Sequence, residues 1–380
     1  MTPKLFTALG LAALASLVTA ALVQSSFGTV SSGRTEGQPL LPALPQLVTD
    51  MTAVELRQGD KSLTLQKQAA GWTIKERSGF PAKPDKVRAL MVQLGQAELI
   101  EKKTLNPARY GVIELEDPTL KDAKSREVRI LGKSDKPIAD IILGKKKYEA
   151  FGAGKSGTYV RKADDKQTWL ASGDLDAPLD VKEWVDRGVI DIGAAKITRV
   201  SVVNPGGETL TFARTPPPAA TKPAEPAASA DAPKPAMPGV NFSKPDDPKA
   251  NDAKSTEPAP FAFLELPAGK KLKDGVTADA VPKSFSGIEL DDVRKMSDTP
   301  AKDNIATVKI ETSDGMTVNL QLRKEGGDSW LSLTATGSDK SAETATALTQ
   351  RAQGWEFKIP SWKADAITKK KTDLIDDKPA

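Results

Sequence analysis

The 380-residue chain contains no cysteine and no histidine. The first absence excludes disulfides and thiolate nucleophiles, and the second excludes imidazole bases. Together they remove the ligands that hold most zinc, copper and haem sites. An exported protein without cysteine is held by its core alone, because no bridge restricts the unfolded chain. Only carboxylate, lysine, serine, threonine or tyrosine chemistry is left to it. A strong excess of one charge is missing as well. The 54 basic and 50 acidic residues leave a net charge of +4, dispersed along the chain. The concentrated basic stripe that a phosphate backbone needs is therefore absent, which argues against nucleic acid as a partner.

Long apolar runs are also scarce, and residues 5–23 form the one stretch that runs so far without a charge. Its length sits between a spanning helix, which takes about 20 apolar residues, and a secretory h-region of roughly 7 to 15. Val18-Thr19-Ala20 offers a small-residue cleavage site, whereas the run continues to Val23 with no polar region before that site. Lys4 flanks it on one side and the next basic residue is Arg34, so the positive-inside rule places the start in the cytoplasm. Under either reading the body is exported. The expected location is the inner membrane, single-pass, with the bulk on the periplasmic, extracytoplasmic side.

The remaining composition, 39% hydrophobic and 27% charged, is an ordinary globular balance with room for two domains. Between 215 and 260 the chain turns to Pro, Ala, Lys, Asp and Ser, as in Thr215-Pro216-Pro217-Pro218 and Ala232-Pro233-Lys234-Pro235. Such a tract cannot bury a core and reads as an extended, disordered linker. The expected organisation is an anchor or signal peptide at 1–24, a linker at 25–45, a first module at 46–214, the linker 215–260, and a second module at 261–376.

Within the modules a β-type run, a polar turn with glycine and a second β-type run recur three times. The copies cover 53–65 with a turn at Gly59-Asp60, 197–212 with a turn at Gly206-Gly207, and 308–322 with a turn at Asp314-Gly315. Period-two alternation around such turns predicts hairpins. Copies one and three continue to Trp72 and Trp330, which predicts a third antiparallel strand with a large core anchor. Pro84 and Asp85 precede Val87, Leu90, Met91 and Leu94 at helical spacing, predicting a helix with one apolar face. Further strands are expected at 128–131, 138–143, 158–161, 168–171 and 355–359. Helices are expected at 181–187, 342–352 and 364–375. The fold class is α+β: antiparallel, hairpin-rich repeated modules with a few packed helices, plus one N-terminal membrane helix.

Candidate chemistry is sparse. Gly152-Ala153-Gly154-Lys155-Ser156-Gly157 matches the dinucleotide fingerprint by letter, but a β-type run follows it where a helix is needed. A Walker loop would need glycine where Glu149 stands, so a hairpin turn is the expected use. A Ser156–Lys155 dyad fails because adjacent strand side chains point to opposite faces. Acidic clusters at 114–117, 174–176 and 291–292 lack the pairing that a glycosidase requires and the spacing of a calcium loop. Asp174 and Asp176 are expected to cap the helix containing Trp184. The run Lys369-Lys370-Lys371 is expected on the wet face of the last helix, with anionic lipid headgroups as the other reading. Trp355 and Trp362, flanking a short strand near Pro360, are the candidate interaction surface. No cofactor, metal or catalytic residue is assigned.

Taken in order along the chain, several short motifs resemble the bacterial family known as domain of unknown function 4340. They are Gly71-Trp72-Thr73-Ile74, the helix from Pro84, Ala108-Arg109-Tyr110-Gly111-Val112 with Asp117-Pro118, and Leu143-Gly144. Thr158-Tyr159-Val160-Arg161, Trp184-Val185-Asp186-Arg187, Gly354-Trp355-Glu356-Phe357-Lys358-Ile359-Pro360 and Lys363-Ala364-Asp365 complete the series. The resemblance covers roughly 50–375, with the Pro/Ala tract as an insertion. It implies a membrane-anchored exported protein that accompanies the permease and ATPase of ABC-type systems, including gliding-motility-like ones, and it implies no catalytic residues. The expected function is thus a non-catalytic accessory or scaffold protein acting by protein contacts. An envelope glycan- or lipid-binding module using Trp355 and Trp362 is the alternative, and a carboxylate-based hydrolase is the third.

Overall fold

The computed structural model describes residues 34–214, 258–296 and 304–376, which fall into two compact units. The first ends at Arg187 and takes in Asp291–Lys295; the second comprises Gly188–Leu290 and the described residues from Met296 onward. Residues 5–23 and 215–257 lie outside the described residues. Among the described residues no helix is long and apolar enough to cross a membrane.

The first unit is built on strands β1 (Arg34–Pro39), β2 (Ala53–Gln58), β3 (Lys61–Gln68), β4 (Gly71–Ile74), β5 (Phe80–Pro81), β6 (Glu98–Lys102), β7 (Arg126–Leu131), β8 (Pro137–Lys147), β9 (Gly157–Lys162) and β10 (Thr168–Ser172). They form one sheet in the order β1-β6-β10-β9-β8-β7-β2-β3-β4-β5. Every pairing in it is antiparallel. The first expected hairpin is present, with Gln58 opposite Lys61 across Gly59-Asp60. Gly59 has φ of 59° and its N–H donates to the Pro118 carbonyl at 2.8 Å. A Cβ there would lie 2.6 Å from the Lys121 carbonyl oxygen, so both the turn and its neighbour require glycine.

The helix Pro84–Gln96 buries Val87, Leu90, Met91 and Leu94, the four residues that its spacing selects. At the other end of the sheet the expectation of a linker over 25–45 is corrected from Arg34 onward. β1 pairs with β6, and Leu40 and Leu44 are buried. The segment is polar, but its backbone groups are satisfied by a sheet edge, which needs no apolar alternation.

The second unit contains β11 (Gly188–Ile190), β12 (Ile197–Val203), β13 (Thr209–Arg214), β14 (Phe261–Phe263) and β15 (Ile288–Glu289). After β16 (Asp292–Lys295), which belongs to the first unit, come β17 (Asn304–Thr312), β18 (Thr317–Glu325), β19 (Asp328–Thr336) and β20 (Trp355–Ile359). The unit's main sheet runs β14-β13-β12-β17-β18-β19-β20, and β11 pairs with β15 apart from it. Hairpins two and three therefore lie side by side, with Val200 opposite Ile310 and Val202 opposite Val308, all buried. The hairpin 197–214, placed by its position before the Pro/Ala tract in the first module, lies in the second unit for this reason.

Strands β17 and β18 alternate between buried and outward residues from Ala306 to Thr312 and from Thr317 to Arg323, as a sheet with one covered face must. β19 is buried on both faces over Ser329–Leu333. The helix Ala342–Ala352 lies nearby, tied to β19 where Thr349 Oγ1 both donates to the Ala335 carbonyl and accepts its N–H, each at 2.8 Å.

Two expected helices are shortened. Only Val181–Glu183 form a 3-10 turn, and Trp184 caps its end while its indole Nε1 donates to the Pro178 carbonyl at 2.7 Å. The carboxy-terminal helix is split into Ser361–Ile367 and Lys371–Leu374. Lys369 and Lys370 fall in the break between them and Lys371 opens the second helix, so the run is not one helix face. Asn204 Nδ2 donates to the Lys369 carbonyl at 2.9 Å, and the Asp373 carboxylate accepts the Lys370 N–H at 2.9 Å.

Candidate functional site

The acidic clusters are absorbed by local structure. Glu116 Oε1 accepts the backbone N–H groups of Lys124 and Ser125, and Asp117 Oδ1 accepts the Thr119 N–H. That bond to Thr119 holds the Asp117 carboxyl below the usual range. Asp174 and Asp176 do not cap a helix; both pair with Lys146 Nζ, at 2.8 and 3.0 Å, and Asp176 also pairs with Arg126. Two cations presented by β7 and β8 outcompete a local N-terminus. Asp292 forms a two-pronged pair with Arg77, at 2.6 and 2.8 Å, and Asp291 faces Lys182 at 3.7 Å.

The glycine-rich stretch is the loop joining β8 to β9, as its context predicted. Two of its backbone donors are spent inside the loop, the Gly152 N–H on the Glu149 carbonyl and the Lys155 N–H on the Gly152 carbonyl. Phosphate-cradling loops keep such groups free. Lys155 and Ser156 line an open groove of about 730 Å³ together with Glu98, Phe151 and Asp174, a wall of mixed charge.

One gathering of ionisable side chains escaped the sequence reading. On the outer face of the first sheet Arg129 binds Glu127 at 3.0 Å and Asp140 at 2.9 Å. Burial lifts the Glu127 carboxyl above the usual glutamate range and the neighbouring Asp140 adds to the lift, while Arg129 opposes it. The Arg129 guanidinium is raised in turn by its hydrogen bond to Asp140. Period-two spacing puts Glu127 and Arg129 on one face of β7, but only the register with β8 brings Asp140 opposite Arg129.

Trp355 is half-buried on β20, and Trp362, in the first turn of the helix Ser361–Ile367, is 67% exposed. Beside it Lys363 is buried, its Nζ donating to the Ser286 carbonyl at 2.9 Å, and burial holds its ammonium below the usual lysine range. The two expected core anchors differ. Trp330 is buried, whereas Trp72 is only half-buried and forms part of a cavity wall.

That cavity, about 470 Å³, lies in the first unit. Leu44, Val48 and Met51 form one wall, Trp72 another, and Val87, Met91, Val92 and Gly95 of the helix Pro84–Gln96 a third. Lys67 and Arg88, both exposed, stand at its rim, and no carboxylate lines it. Gly95 is there without backbone necessity, since its φ is not positive and a Cβ would meet only Leu44 Cδ2 at 3.9 Å. Glycine inside a helix is about 1 kcal/mol less favourable than alanine. What the missing side chain provides at this position is room. Sequence spacing found the buried stripe of this helix but not the cavity, whose walls come from separate segments of the chain.

Residues 72–245 match the family model of the domain of unknown function DUF4340. Over that stretch the chain is similar to that family's domain. No curated protein and no solved structure matches it. The match begins at Trp72 and does not reach the Gly354–Asp365 motifs, so it covers less than the resemblance read along the chain.

Inside the DUF4340 match, the motif residues are used to build the fold. Tyr110 packs with Leu115 and Ile142 into a small second core on the sheet, flanked by Ile113 and Tyr159. Its hydroxyl donates to the Lys166 carbonyl at 2.6 Å, and the Arg161 guanidinium stacks 4.9 Å from its ring centre. The Trp184 carbonyl accepts the Lys83 N–H at 2.6 Å at the start of the helix Pro84–Gln96.

Proposed function

We propose that this is a non-catalytic, membrane-anchored extracytoplasmic accessory or scaffold protein that works by protein–protein contacts within an ABC-type transport system. The observation that carries the reading is Trp362, held 67% exposed in the helix that follows β20. Tryptophan is enriched at the energetic centres of protein interfaces, where its large ring is buried on association. The use of Tyr110, Trp184 and Gly144 in packing supports the same reading, since family motifs devoted to a scaffold leave contact surfaces as its means of action. The charge-free segment 5–23 supplies the tether to the inner membrane, with the bulk on the periplasmic side.

The test is affinity capture of the detergent-solubilised full-length protein with and without Trp362→Ala. The wild type is expected to recover an ABC permease or ATPase, and the variant to recover about tenfold less, the loss of a modest interface anchor. Recovery of neither component by the wild type overturns the proposal. Mass measurement of the protein from membranes reads the tether directly, and cleavage after Ala20 removes it.

A further inference from the structure

From the cavity between Trp72 and the helix Pro84–Gln96 we infer a binding site for a long-chain carboxylate, with the acyl chain inside and the headgroup at Lys67 and Arg88. This is independent of the accessory role and does not involve Trp362. Three observations carry it. The volume, about 470 Å³, falls within the ~300–1,000 Å³ of small-molecule sites, and the interior is apolar. Met51 and Met91, both buried, give it soft unbranched walls that conform to a flexible chain.

Second, the charge at the mouth has one sign. The Lys67 ammonium has no ion-pair partner among the described residues. Arg88 pairs with Asp85 at 3.3 Å, but the two side chains are 75% and 81% exposed. Such a pair is weak and yields its cation readily to a better-placed anion. An apolar interior with a cationic rim and no carboxylate in its lining complements an anionic amphiphile, and it disfavours neutral sugars, which would leave their hydroxyls unpaired.

Third, Gly95 keeps the space open. Its helix accepts an unfavourable residue at a position where neither backbone conformation nor a close neighbour demands one. The position is half-buried and borders the cavity, so the absent side chain leaves that space unfilled.

The experiment uses the full-length protein in lipid nanodiscs, photolabelled with a diazirine analogue of palmitic acid and, in parallel, with the corresponding alcohol. Adducts are located by peptide mass spectrometry. Labelling by the acid is expected to concentrate on Trp72 and on 87–95, and excess oleate should suppress it. Gly95→Phe, which fills the cavity, should lower it about tenfold. Lys67→Glu with Arg88→Glu changes only exposed side chains and so preserves the fold. This pair should lower labelling by the acid about tenfold while changing labelling by the alcohol less than about twofold. Dispersed adducts, or labelling indifferent to oleate and to both variants, overturn the inference. So does absence of labelling at the cavity, the outcome if a peptide segment of this or another chain fills it. Equal loss of acid and alcohol labelling in the charge variant overturns the headgroup assignment.

Discussion

Gly144 on β8 lies so close to the turn ending at Ile113 that a Cβ at 144 would stand 2.4 Å from the Ile113 carbonyl oxygen. The same atom would meet the Glu114 oxygen at 2.8 Å and Leu115 Cδ2 at 2.9 Å. Backbone cannot yield as a side-chain tip can, so Gly144→Ala must displace the 113–115 turn that seats Leu115 and Tyr110 on the sheet. Overpacking of this kind destabilises by about 1–3 kcal/mol. A drop of that size in denaturant-measured stability, with the far-ultraviolet spectrum retained, is the expected result. An unchanged midpoint would show that the turn does not pack where it is placed here.

Tyr110 allows the polar and apolar parts of the same small core to be separated. Tyr110→Phe deletes only the hydroxyl that reaches the Lys166 carbonyl at 2.6 Å. It is expected to destabilise by about 1 kcal/mol. Tyr110→Ala also empties the space against Leu115 and Ile142 and should cost about 3–5 kcal/mol, as aromatic-to-alanine changes in cores do. Urea denaturation of both variants checks the order. Equal losses would assign the whole contribution to the hydroxyl.

How far these features were legible in the sequence follows from the range of the interactions that make them. The helix Pro84–Gln96, the helix Ala342–Ala352 and the hairpins β2–β3, β12–β13 and β17–β18 are written in local periodicity, and they are where that periodicity puts them. Strand β1 has no alternation to read, because an edge strand is held by backbone bonds to β6. The 107–113 turn has neither helical nor strand period, so Tyr110 could be noticed in a motif but not placed on Ile142. Asp174 and Asp176 looked like caps because their true partners, Arg126 and Lys146, are far away in sequence. Trp72 and Trp330 occupy like places in like strands, yet only one is enclosed, since enclosure depends on what is laid over the strand.

The tryptophans themselves give a sharp contrast. Trp330 is 8% exposed and Trp362 67%. Trp330→Ala should destabilise by about 3–5 kcal/mol through the cavity it leaves. Trp362→Ala should stay within about 0.5 kcal/mol, the usual range for a surface change. Thermal unfolding followed by calorimetry separates them. A large loss at Trp362 would mean that it is packed rather than presented, and would remove the surface on which the accessory reading rests.

The carboxylates around Arg129 set a pH dependence whose sign can be worked out. Burial first, and then Asp140, raise the Glu127 pKa in the folded chain above its unfolded value, which is about 4.3. Between those two values the native state holds a proton that the unfolded state has released, so raising the pH favours unfolding. The stability contributed by this group is fully present below the unfolded pKa and is lost as pH rises through the folded one. Glu127→Gln cannot release that proton, and its Arg129 neighbour keeps Asp140 at 2.9 Å as partner. Measured against pH by urea denaturation, the wild type should therefore lose stability relative to the variant from about pH 4 upward until the folded pKa is passed. Parallel curves across that window would mean that Glu127 titrates alike in both states, with Arg129 offsetting the burial that surrounds it.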